Sequence, residues 1–144
     1  AISNAYIDRL AQQRVPMTGA EDFLRRVTPR VPVYLVTNGI GRVQRGRFER
    51  SELRPYLSDL LISEELNSYK PAPNMIFIAM RRAGVADKSR VIFLGDSLSA
   101  DIAAANNAGV PSILFTDNQP APDGAAAATF TVPTLSQAAD IILR

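Results

Sequence analysis

The sequence predicts an α/β protein: a parallel sheet flanked by helices. Three observations predict it. Short, β-prone apolar runs at Val33–Val36, Leu60–Ile62, Val91–Leu94 and Pro111–Phe115 are spaced along the chain. Segments of helical periodicity separate them, and such alternation belongs to parallel strands covered on both faces. The length, 144 residues, suits one domain with one core.

The elements follow in order. Ala1–Gln13 places Ile2, Tyr6, Ile7 and Leu10 on one helical face, and Pro16 ends that helix. Gly19–Val27 predicts a second helix, with Phe23, Leu24 and Val27 inward. Val33–Val36 is a buried strand that runs into Thr37-Asn38-Gly39. The helix Ile40–Glu49 follows, with Arg42, Arg45, Arg47 and nearby Arg50 spread around it, as on a solvated surface. Leu53–Tyr56 packs a turn, Leu60–Ile62 is a short strand, and Ser63-Glu64-Glu65 closes it. Asn67–Pro73 is a loop carrying Tyr69-Lys70-Pro71.

Helix Asn74–Ala83 has an apolar stripe of Ile76, Phe77, Met80 and Ala83, and Gly84 stops it. Strand Val91–Leu94 leads into Gly95-Asp96, and Ala100–Ala108 is a helix ended by Gly109. Pro111–Phe115 is the next strand, and Asn118–Ala128 is a loop. Thr129–Val132 is a last short strand, and Thr134 caps a helix over Leu135–Leu143.

Composition narrows the chemistry. Hydrophobic residues make up 47% and charged residues 21%, in the ordinary range for a globular domain. The net charge of +2 has no clustered basic face behind it, so no nucleic-acid polymer is expected as partner. With no cysteine, there is no disulfide, thiol nucleophile or thiolate metal site. With no histidine, a Ser-His-Asp triad and a His-ligated zinc are excluded. Acid–base or metal work falls to Asp, Glu, Lys or Tyr. No apolar run reaches the ~18 residues of a membrane span, and Ala1–Gln13 lacks the order of a signal peptide. A cytoplasmic protein without membrane attachment is the expectation. The start without Met points to a processed or partial chain.

Three segments end at one edge of the predicted sheet. Val33–Val36 delivers Thr37 and Asn38, the loop after Leu60–Ile62 leads to Lys70, and Val91–Leu94 delivers Asp96 with Asp101 close behind. Ligands of open α/β sheets bind just outside the carboxyl ends of the strands. A hydroxyl, backbone N–H groups and an ammonium suit phosphoryl oxygens, and two carboxylates suit Mg²⁺. Each part has an ordinary reading: Thr37-Asn38-Gly39 as a turn, Lys70 as a surface lysine, Asp96 as a solvated acid, Asp101 as a partner of the helix dipole. Order and spacing together are more specific than any part.

The set VTNG at Val36–Gly39, KP at Lys70–Pro71 and GDSLSADI at Gly95–Ile102 resembles motifs two to four of the haloacid dehalogenase superfamily. RSELRPYLSDLLISEELNSYK at Arg50–Lys70, together with Asn74–Ala83, is similar to its pyrimidine 5′-nucleotidase subgroup, whose members carry a helical cap. The resemblance implies a Rossmann-like core and a Mg²⁺-dependent phosphatase of small phosphorylated substrates. It implies that Thr37 bonds the transferring phosphoryl group, while Asn38 and Gly39 shape its cradle. It implies that Lys70 holds the charge of nucleophile and phosphate together, Asp96 ligates Mg²⁺, and Asp101 supports the metal through a bound water. Metal-independent dehalogenases of the family carry a Ser-Ser-Asn type of loop where this chain has Gly95-Asp96. The subgroup usually has Gly-hydrophobic-small before the lysine, and this chain has Asn67-Ser68-Tyr69.

The family's first motif, Asp-x-Asp after the first strand, is absent. Its first Asp is the nucleophile that becomes an aspartyl phosphate, and its second is the general acid and base. Asp8 and Asp22 fall in predicted helices, and Asp117 follows the last main strand. The expectation is therefore a core over residues 16–144 that lacks its first central strand and most of its cap, with residues 1–15 as the trailing cap helix. Such a chain is the C-terminal part of a longer hydrolase and has no turnover alone. Two other readings stand beside it. One is a non-catalytic interaction module whose sheet gap is filled by a strand-donating segment or a second chain. The other is a phosphatase for sugar phosphates or phosphoglycolate.

Overall fold

A computed structural model describes Ile2, Asn4–Ile7 and residues 19–144. Among these residues, six strands form one parallel sheet. They are β1 (Asn4–Ile7), β2 (Val33–Thr37), β3 (Asp59–Ile62), β4 (Val91–Gly95), β5 (Ser112–Phe115) and β6 (Phe130–Val132). The helices are α1 (Ala20–Val27), α2 (Gly41–Arg50), α3 (Ser63–Leu66), α4 (Asn74–Ala83), α5 (Ala103–Ala108) and α6 (Leu135–Ile142). The spatial order is β3-β2-β1-β4-β5-β6. Strand and helix alternation thus produces the predicted architecture.

Side chains of successive strand residues leave opposite faces of the sheet, and this period of two builds two cores. Ala5, Val33, Leu35, Ile92, Leu94 and Ile113 face the layer of α1 and α6, where Phe23, Leu24, Val27, Leu135 and Ile142 are buried. Tyr6, Val36, Leu61, Val91 and Phe93 face α4 and α5, against Met75, Ile76, Ala79, Ala104 and Ala105. A fully covered Leu or Phe here contributes about 1.5–3 kcal/mol over its exposed state. The helix ends obey local chemistry. Gly84 and Gly109 stop α4 and α5 at φ of 72° and 76°. The Thr134 hydroxyl accepts from Gln137 N at 3.2 Å.

The chain departs from expectation at its beginning. Asn4–Ile7 is a strand, not part of a helix over 1–13 or 1–15, and it lies between β2 and β4. It occupies the central position that was expected to be open, so no strand from another chain is needed there. The physical reason is the value of that position. Asn4–Ile7 pairs on both sides, which satisfies backbone groups of β2 and β4 that would otherwise be buried unpaired at about 1–3 kcal/mol each. A short amphipathic helix offers less, because most helical stability comes from packing one face. Residues 8–18, which hold the rest of the predicted helix and Asp8, lie outside the described residues. In the chain, Asp8 directly follows a strand, β1, and not a helical segment. Leu10 still stands where Asp-x-Asp requires its second carboxylate.

The other differences are local. The acidic stretch after β3 is the short helix α3. The predicted helix from Ala100 opens instead as a π turn over Leu98–Ile102 before α5.

Candidate active site

The carboxyl ends of β1, β2, β3 and β4 line one sheet edge, since Ile7 is level with Leu35 and Leu94, and Thr37 with Ile62. Thr37, the last residue of β2, is buried, and its hydroxyl donates to the Asn38 carbonyl at 3.2 Å. The Asn38 side chain bridges to the loop before α4. Its Oδ1 accepts from Lys70 N at 3.0 Å, and its Nδ2 donates to the Lys70 carbonyl at 3.3 Å. Gly39 N donates to Ser63 Oγ at 2.9 Å, and Gly41 N to Glu64 Oε1 at 2.9 Å. These bonds clamp the turn after β2 to the segment after β3. At Gly39 a Cβ would meet the Gln44 side chain, which would have to shift to make room.

Lys70 reaches inward. Its Nζ donates to Asp101 Oδ1 at 2.7 Å, with the two side chains 2% and 1% exposed. The same ammonium stands 5.9 Å from the centre of the Phe93 ring. The other carboxylate oxygen of Asp101 accepts from Ser97 N at 3.1 Å. Ser97 caps the π turn by accepting from Ala100 N at 3.1 Å. That turn sets Asp101 against Gly95, where any side chain would overlap the carboxylate. A buried carboxylate with a cation and a backbone N–H as partners is compensated in charge and hydrogen bonding.

Asp96 is exposed immediately after β4. Among the described residues, no group of three or more acidic side chains could enclose a metal ion. The donor set still fits Mg²⁺ of one kind, bound by one or two carboxylates with water and phosphate completing the shell. Asp96 is the accessible carboxylate for it. Asp101 has both oxygens engaged by Lys70 and Ser97, an arrangement suited to fixing the ammonium and the loop.

The structure thus brings Thr37, Asn38, Gly39, Lys70, Asp96 and Asp101 to one edge. Sequence reasoning missed Ser63, Ser97 and the steric role of Gly95. Ser63 carried a faint signal, a small polar residue closing an apolar strand. Ser97 had the spacing of a helix cap, three residues before the N–H it serves. The arginines of α2 are exposed as expected, and Arg45 pairs with Glu65 at 2.6 and 2.8 Å.

Residues 2–115 match the family profile of the haloacid dehalogenase-like hydrolases. The chain is 32% identical over 144 residues to the pyrimidine 5′-nucleotidase YjjG of Escherichia coli, covering 99% of this chain and 64% of that protein. It is 38% identical over 118 residues to the pyrimidine 5′-nucleotidase PynA of Streptococcus pneumoniae, covering 79% of this chain and 48% of that protein. The chain therefore spans roughly half to two thirds of the length of these two relatives. Among solved structures, the magnesium-bound putative HAD-hydrolase YfnB of Bacillus subtilis superposes with a TM-score of 0.82 at 24% identity, over 92% of this chain and 58% of that one. Family profile, relatives and fold agree: this chain belongs to the haloacid dehalogenase-like hydrolases, an enzyme family.

Proposed function

We propose that this chain forms the phosphate- and Mg²⁺-holding part of a phosphomonoesterase for nucleoside 5′-monophosphates. The observation that carries the reading is the buried Lys70–Asp101 pair tied through Asn38 to the turn after β2, at the edge where exposed Asp96 follows β4. The two nucleotidase relatives support the substrate class.

In this reading, the Thr37 hydroxyl turns from the Asn38 carbonyl to a phosphoryl oxygen, and backbone N–H groups around Asn38 and Gly39 shape the cradle. Lys70, held in place by Asp101, offsets the charge of phosphate and nucleophile. Asp96 would hold Mg²⁺, which supplies charge neutralisation at the phosphoryl group. Bond breaking through an aspartyl phosphate needs an Asp-x-Asp pair, which these 144 residues do not contain. The chain by itself is therefore a binding unit without turnover.

Calorimetric titration with inorganic phosphate tests this reading. Binding should require Mg²⁺, and the Asp96→Ala variant should lose that requirement together with the affinity. Phosphate binding that ignores both Mg²⁺ and Asp96 would sink the reading, as would Mg²⁺-dependent phosphate release from a nucleotide by this chain alone.

The filled central strand favours a second reading, a non-catalytic module that uses the same fold. Nucleotide binding without any dependence on Mg²⁺ would favour it.

A further inference from the structure

We infer that Tyr69 is the platform on which the planar base of the substrate stacks, an inference that rests on the nucleotide-phosphatase reading above. The large apolar side chains left exposed among the described residues are Ile40 at 57%, Val43 at 39% and Tyr69 at 53%. They are not scattered. Ile40 stands two residues after Asn38, and Val43 is in the first turn of the helix that follows. Tyr69 directly precedes Lys70. The two Asn38–Lys70 hydrogen bonds join these segments, so all three exposed side chains belong to segments that flank the phosphate-holding turn.

Consecutive Cα atoms are about 3.8 Å apart, so the backbone that carries Tyr69 adjoins that of Lys70, the residue assigned to the phosphate. The Lys70 side chain goes inward to Asp101, whereas Tyr69 stays in solvent. Inward charge and outward ring on adjacent residues suit a ligand with a phosphate at one end and a flat apolar group one sugar away. A nucleoside 5′-monophosphate is such a ligand. Pockets for small molecules combine an apolar wall with a few fixed polar groups, and aromatic rings accept any base through its π face. The residue at position 69 would then set a preference for base-bearing phosphates over bare sugar phosphates.

The test is titration of this chain, in Mg²⁺, with UMP, ribose 5-phosphate and inorganic phosphate. Heat is followed together with tyrosine emission, which is readable because the chain has no tryptophan. UMP should bind roughly tenfold tighter than ribose 5-phosphate, the size expected of one stacked base. Tyr69→Ala should abolish that gap, Tyr69→Phe should keep it, and the affinity for inorganic phosphate should not change in either. Equal affinity for UMP and ribose 5-phosphate in the unaltered chain, or a gap that survives in Tyr69→Ala, overturns the platform and leaves the phosphate site standing. Failure of all three ligands to bind overturns the platform together with the reading beneath it.

Discussion

Lys70 and Asp101 meet at 2.7 Å with both side chains sealed from solvent. Buried pairs of this kind give little net stability but punish the loss of one partner, because a charge is then left uncompensated. Asp101→Ala should destabilise the fold by about 3–5 kcal/mol in urea unfolding. The Lys70→Met, Asp101→Ala double variant should recover a large part of that loss. Additive losses in the double variant would show that the two side chains act independently.

Gly95 sets the clearance for that carboxylate. Its missing Cβ is the space that Asp101 uses, and Gly95→Ala would force the two apart. The expected cost is about 1–3 kcal/mol, typical of overpacking. Phosphate affinity should fall with it, because Lys70 loses the partner that positions it. A Gly95→Ala chain with unchanged stability would mean that the π turn has room to move.

Asp96 separates function from folding. It is exposed, so Asp96→Ala should change stability by less than about 0.5 kcal/mol. Added Mg²⁺ should raise the melting temperature of the unaltered chain in phosphate buffer and leave the variant unmoved. A similar rise in both would place the ion elsewhere.

Tyr6 tests the central strand. Its ring is fully buried against Tyr34, edge to face at 5.5 Å, and its hydroxyl has no hydrogen-bond partner among the described residues. Tyr6→Phe removes that orphaned group and should stabilise the chain, by up to about 1–3 kcal/mol. No change on substitution would mean that Tyr6 does not sit in the sheet.

The same residue sets an alkaline limit. Burial, with the nearby Tyr34 adding to it, pushes the Tyr6 phenol well above its ordinary value. The raised value means that the folded chain keeps a proton the unfolded chain gives up near pH 10. The contribution is complete below pH 10 and is lost as pH climbs from there toward the folded value. Unfolding followed from pH 8 to 11 should show a decline that is shallower in Tyr6→Phe. Parallel slopes would assign the decline to other groups.

Much of this molecule was legible in its sequence. The runs at Val33, Leu60, Val91 and Pro111 became strands because each is apolar, short and bounded by turn residues. Gly84, Gly109 and Thr134 marked helix ends by chemistry that acts locally. Asn4–Ile7 was not legible, because its helical spacing is a local signal and its strand state comes from partners distant in the chain. The gathering of Thr37, Asn38, Lys70, Asp96 and Asp101 at one edge followed from strand order. The double grip of Asn38 on the Lys70 backbone, and the engagement of both Asp101 oxygens by Lys70 and Ser97, depended on three-dimensional placement that no spacing encodes.

The position of β1 has a kinetic consequence. Ile7 ends beside Leu35 on one side and beside Leu94 on the other. Among the described residues, the two halves of the sheet therefore join at β1, a segment near the start of the chain. Contacts between distant residues form slowly, since a long loop must close before they are rewarded. The β1–β2–β3 and β4–β5–β6 parts can each assemble from residues at similar short separations, Ala5 with Val33 and Tyr34 with Asp59, whereas the β1–β4 seam, with Asn4 opposite Val91, closes last. Folding should thus pass through a stage with two unpaired strand edges exposed, and that stage is where this chain is most open to aggregation.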